Sequence, residues 1–181
     1  TGVPKPSVHR IAGELVEADL LERTSGGYRL GVGLFELGLR ARAQRGLLEI
    51  ATPFMQDVYV RTGEVVNLGV LDGDQVGYVA KIGGHRQVRV PTRAGGRMPL
   101  HCTGLGKALL AHADPAVLDR VLAAPLERLT PRTVTAPGLL RRQLRRVVST
   151  GVAFEHEEAV NGVVCVAAPI LDAERRAVAA I

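Results

Sequence analysis

The sequence predicts an α+β chain whose larger part is a mostly antiparallel sheet flanked by helices. Three observations carry this. Apolar residues alternate at period two through Val66–Ile82 around a turn at Asp72-Gly73-Asp74-Gln75. A loop at Gly95–Thr103 runs into helical spacing at Leu105, Ala108, Leu109 and His112. An arginine-faced helix is then followed by short apolar strand segments up to Ile181. Strands, then helices, then strands indicate α+β rather than alternating α/β.

Taken in order, Pro6 and Ser7 open a helix with Val8, Ile11, Leu15 and Ala18 on one side and Lys5, His9, Arg10, Glu14 and Glu17 on the other. A short strand at Leu20–Arg23, a tight turn at Thr24–Gly27 and a return strand at Tyr28–Leu30 follow. A helix with such a hairpin behind it is the back half of a winged helix-turn-helix. Gly31 and Gly33 mark the exit. An amphipathic helix is expected over Leu34–Arg45, broken at Gly46, with a narrow apolar stripe suited to a dimer contact. A second helix is expected over Leu48–Arg61, with Ile50, Phe54, Val58 and Val60 inward, Pro53 in its first turns and Thr62-Gly63 as its stop. The Val66–Ile82 hairpin comes next, and Gln87–Val90 reads as a third strand.

Thr103 stands where a helix cap belongs, ahead of Gly104, Leu105 and Gly106, whose amides have no partner inside a helix. Two of the three lack a side chain, so a ligand could approach the backbone there and meet a partial positive charge. An ordinary capped helix explains the same residues. Asp114-Pro115 opens a short helix, and Arg128–Pro137 is a loop. Leu140, Leu144, Val147 and Val148 define a helix closed by Gly151, with Arg141, Arg142, Arg145 and Arg146 as an outer stripe. That stripe reads as a solvated face or a nucleic-acid contact. The last strands are expected at Val152–Glu155, Val163–Leu171 and Ala177–Ile181.

Composition narrows the function classes. The 181 residues are 46% hydrophobic and 23% charged, enough to bury a core. Aromatic residues are 3%, which disfavours stacking platforms for single-stranded nucleic acid. A net charge of +5 admits a nucleic-acid partner or an acidic ligand. Two cysteines, Cys102 and Cys165, make no disulfide framework, which points to a reduced, cytoplasmic setting. No apolar run is long enough for a membrane span. His101-Cys102 with Glu155 or His156 raises a thiol nucleophile, but adjacent residues rarely face each other and no hydrolase, Walker or zinc-protease motif is present. His101, Cys102, His112, His156 and Cys165 lack zinc spacing.

Four stretches, VPKPSVHRIAGELVEADLLER, TGEVVNLGVLDGDQVGYVAKI, RMPLHCTGLGKALLA and FEHEEAVNGVVCVAAPILD, together resemble the IclR family of bacterial transcriptional regulators in order and spacing. The resemblance implies a partial winged helix-turn-helix in residues 1–31, a dimerising linker helix in 32–47 and a GAF-like effector domain in 48–181. It also implies further helices before Thr1 and more strand and helix after Ile181. On that basis an operator would not be bound specifically by these residues alone.

The first helix is then the recognition helix. Lys5, Ser7, His9 and Arg10 lie in its leading turns, where base edges and phosphates are read, and Arg29 stands on the wing. The effector pocket is implied at Val90, Met98, Val163 and Cys165, with the Gly104 and Leu105 amides as floor and Glu155 at a position the family tends to make acidic. The implied partners are double-stranded operator DNA, a small carboxylate effector and a second copy, as a homodimer or dimer of dimers, with no cofactor or metal. A stand-alone enzyme or sensor of the same fold is the alternative.

Overall fold

The computed structural model describes residues 2–40, 42–83 and 92–181. They fall into two compact units that divide between Glu49 and Ile50.

In the first unit, α1 (Lys5–Glu17) starts with Pro6 in its first turn, so Ser7 lies inside the helix and not at its cap. Its buried residue is Ala12, while Val8 and Ile11 of the expected apolar face are exposed. The helix packs on β1 (Leu21–Thr24), which pairs antiparallel with β2 (Gly27–Leu30) across a two-residue turn. Gly31 is required here: a Cβ on it would sit 2.1 Å from the Asp19 carbonyl oxygen. Helix α2 (Gly33–Arg40) follows, and Leu37 on it is exposed.

Helix α3 (Arg42–Thr62) corrects two expectations. Gly46 does not break it, because an interior glycine costs only about 1 kcal/mol and hinders nothing sterically. Pro53 lies well inside it. The inward face also differs. Ala51 and Met55 are buried, whereas Ile50 (70%), Phe54 (67%) and Val60 (79%) are exposed. Both stripes have helical period, so the spacing does not choose between them. Packing chooses: one turn beyond Met55 the Tyr59 ring crowds Gly83, whose missing Cβ would lie 2.7 Å away.

In the second unit, β3 (Val66–Asp72) and β4 (Gln75–Ile82) pair from Asp72↔Gln75 to Val66↔Ile82, with a bulge after Leu68. The strand expected at Gln87–Val90 lies outside the described residues. Instead β5 (Arg97–Pro99), within the stretch expected as loop, pairs with β4. Three residues with a terminal proline are too short to show a period. Helix α4 (Gly104–Leu110) stops before His112, which lies in the turn leading to α5 (Pro115–Leu122). Asp114 caps α5 by accepting the Ala116 amide at 2.8 Å. Helix α6 (Pro137–Thr150) ends on Gly151 at φ 75°, a left-handed cap suited to glycine.

Antiparallel β6 (Ala153–His156) and β7 (Val164–Ala167) form a separate two-stranded sheet. The apolar run expected as one strand over Val163–Leu171 is two. After Ala168, whose amide and carbonyl both bond Ile181, the chain enters β8 (Pro169–Leu171) of the other sheet. With β9 (Ala177–Ala180) that sheet has the order β5-β4-β3-β9-β8. Helix α4 touches strands of both sheets and α6, and every one of its residues is buried. Leu100, Leu105, Leu109, Leu140 and Leu144 centre the core around it.

No described helix is long and apolar enough to cross a membrane.

Candidate functional site

A cavity of about 620 Å³ opens beside the start of α4. Met98, Gly104, Leu105, Glu155, Val163 and Cys165 all line it. Val90 lies outside the described residues. The sequence reading missed several other lining residues, among them Val58 and Thr62 of α3, Tyr78, Val160 and Ile181. They come from distant segments, and nothing in their local pattern separates a cavity wall from core.

Thr103 caps α4 as its position suggests. Its Oγ1 accepts the Gly106 amide at 3.1 Å and donates to the Pro99 carbonyl at 3.0 Å. The Gly104 amide faces the Cys165 sulfur. The Leu105 amide makes no hydrogen bond among the described residues. Leu105 is also a core residue, with its side chain against Gly69, so a proline there would remove packing as well as an amide.

The two glycines are explained by the protein itself. A Cβ on Gly104 would meet Cys165 Sγ at 2.8 Å, and one on Gly106 would meet the Leu100 carbonyl oxygen at 2.2 Å. The protein's own packing thus already requires both missing side chains, whatever approaches the amides.

Glu155 is 3% exposed on β6. Burial pushes its carboxyl above the usual range, against hydrogen bonds to Oε1 from the Glu158 and Ala159 amides. A raised carboxyl favours folding most below the ordinary carboxylate range, and that contribution is lost as pH rises through the raised value. Glu155→Gln keeps an acceptor and removes the proton. The Tm of the wild type should therefore fall relative to this variant as pH rises from about 4, by calorimetry. Parallel Tm curves would contradict the raised carboxyl.

Lys107 is 1% exposed and ion-paired with buried Glu158. Its signal was a lone lysine inside the apolar run Leu105–Leu110.

The thiol arrangement is not assembled. Burial drives Cys102 up to about 12 and Cys165 to about 11, so neither is a thiolate near neutral pH. His101 Nε2 bonds the Glu127 carbonyl at 2.9 Å, and Arg132 donates to His156 Nδ1.

On α1, Lys5, His9 and Arg10 are exposed and Ser7 is half-buried. Arg10 pairs with Glu14, and Arg29 with Glu22 across the hairpin at 2.8 Å. Such exposed pairs are worth little and exchange readily for other anions.

Residues 40–181 match the family model described as bacterial transcriptional regulator IclR C-terminal. The chain is 37% identical over 178 residues to the HTH-type transcriptional regulator BhcR of Paracoccus denitrificans, covering 97% of this chain and 64% of that protein. It is 31% identical to the HTH-type transcriptional repressor AllR of Klebsiella pneumoniae, covering 99% of this chain and 67% of that protein. Its fold is similar to an IclR homolog from Microbacterium hydrocarbonoxydans crystallised with 4-hydroxybenzoate, at TM-score 0.91, 36% identity, and 98% and 74% coverage of this chain and that one. The Thermotoga maritima IclR structure matches at TM-score 0.80 and 30% identity, over 97% and 72% of the two chains.

Proposed function

Because this chain belongs to the IclR family of bacterial transcriptional regulators, we propose that it is part of a DNA-binding repressor whose cavity senses a small hydroxylated organic acid. In this reading residues 1–31 hold operator DNA through Lys5, Ser7, His9, Arg10 and Arg29. Residues 32–47 join two copies, as a homodimer or dimer of dimers, and residues 48–181 bind the effector.

The observation that carries the effector assignment is the composition of the cavity. Its described lining holds two carboxylates, Glu64 and Glu155, and no Lys, Arg or His. An anion there relies on neutral donors: the Leu105 amide, the Gly104 amide beside Cys165, and the side chains of Asn67, Tyr78 and Thr92. That suits one carboxylate and disfavours a second anionic group beside Glu155. A hydroxyl would donate to Glu155. The relative bound to 4-hydroxybenzoate, a carboxylate with a hydroxyl at the far end of a ring, supports this class.

Calorimetric titration tests it. 4-Hydroxybenzoate should bind this chain with Kd between about 1 μM and 1 mM. 4-Hydroxybenzamide should bind about tenfold more weakly, since a charge-assisted hydrogen bond contributes about 1.5–3 kcal/mol. Benzene-1,4-dicarboxylate should be rejected. Equal affinity for acid and amide would remove the anchoring role of the α4 start.

A further inference from the structure

Glu158 has all of its polar groups engaged. Its amide donates to Glu155 Oε1 and its carbonyl accepts from Thr133 Oγ1 at 2.6 Å and Thr130 Oγ1 at 3.3 Å. Carboxylate Oε1 takes the Lys107 ammonium and Oε2 takes the Val134 amide at 3.4 Å. One residue thus ties the loop after β6 to α4, to the 130–134 segment and to β6 itself.

Neither Lys107 nor Glu158 lines the cavity. Their immediate neighbours do. Thr103, Gly104 and Leu105 precede Lys107 on one wall, and Ala159, Val160 and Val163 follow Glu158 on another. The pair therefore joins two walls of the same cavity from behind. A buried ion pair is seldom the most stable filling for such a space, since apolar residues of similar volume often do as well or better. What the pair adds is direction, because a charged contact with fixed hydrogen bonds holds one geometry.

We infer that Lys107 and Glu158 are positioning residues that fix the separation between the α4 start and the 159–163 wall, and so set which acids fit. The inference rests on the cavity being the effector site. The pair acts through the walls and touches no ligand.

The test compares wild type, Lys107→Met and the double variant Lys107→Met/Glu158→Leu, which replaces the charges by apolar groups and leaves no unpaired ion. Hydrogen exchange by mass spectrometry is read at residues 157–163 against the β3–β4 hairpin. Titrations use 4-hydroxybenzoate and the longer 4-hydroxycinnamate. Exchange at 157–163 should rise at least about tenfold in the double variant while the hairpin stays unchanged. The affinity ratio of the two acids should shift about tenfold toward the longer one. Wild-type exchange with an unchanged ratio in the folded double variant overturns the inference, as does a rise shared equally by the hairpin. If the wild type binds neither acid, the effector reading fails, and the exchange data alone decide whether the pair holds the wall.

Discussion

Replacing Gly106 by alanine is expected to destabilise the second unit by about 3 kcal/mol or more, although alanine is the better helix former. The new methyl carbon would lie 2.2 Å from the Leu100 carbonyl oxygen, 2.5 Å from its Cα and 2.6 Å from its carbonyl carbon. All three are backbone atoms, so no side chain can turn aside. Relief requires α4 to move away from the segment after β5, and α4 is wholly buried against strands of both sheets and α6. Gly138→Ala is the control, since nothing lies within 4 Å of a Cβ there. It should be neutral or stabilising by up to about 1 kcal/mol. Urea unfolding followed by circular dichroism measures both. A Gly106→Ala midpoint equal to wild type would refute the close approach.

Thr133→Val should cost nearly as much, about 3 kcal/mol, with almost no change of side-chain volume. Thr133 is 4% exposed. Its Oγ1 accepts the Leu129 and Thr130 amides at 3.1 and 2.8 Å and donates to the Glu158 carbonyl at 2.6 Å. Valine leaves both amides without that acceptor and weakens one hold on Glu158, whose carbonyl keeps only the longer bond from Thr130. Thr130→Val strands only one amide, that of Arg132, and loses a hydroxyl that donates to the Glu157 carbonyl at 2.6 Å and to the Glu158 carbonyl at 3.3 Å. The same unfolding experiment should rank Thr133→Val as the more damaging. The reverse order would show that the polar network is not centred on Thr133.

The two variants probe different sources of order, and the sequence displayed them unequally. The Val66–Ile82 hairpin was readable because alternation, a two-residue turn at Gly73-Asp74 and burial of one face all agree locally. Thr103 as a cap, Asp114 as a cap and Gly151 as a stop were readable for the same reason: each acts on amides or carbonyls within a few residues of itself. The family resemblance pointed to Met98, Glu155, Val163 and Cys165, which are among the residues lining the cavity, and periodicity could not have singled them out.

What stayed hidden depends on partners far along the chain. The face of α3 is one case. Ile50-Phe54-Val58 and Ala51-Met55-Tyr59 have the same spacing, and only the surface that receives the helix separates them. The division of Val163–Leu171 between two sheets is another, set at Ala168 by its pairing with Ile181. Gly104 and Gly106 are a third. Composition marks them as unusual, but the reason is the approach of Cys165 to one and of the Leu100 backbone to the other.

The local pattern of residues determined the α+β class, most element types and the helix ends, because backbone hydrogen bonds and hydrophobic period are short-range. The buried pairing of Lys107 with Glu158, 51 positions apart, was decided only by tertiary structure. A lysine in an apolar helix signals that a counter-charge must exist, since an unpaired buried ammonium is too costly to keep. Which carboxylate supplies it, and which cavity wall it thereby holds, follows from packing that no local pattern encodes.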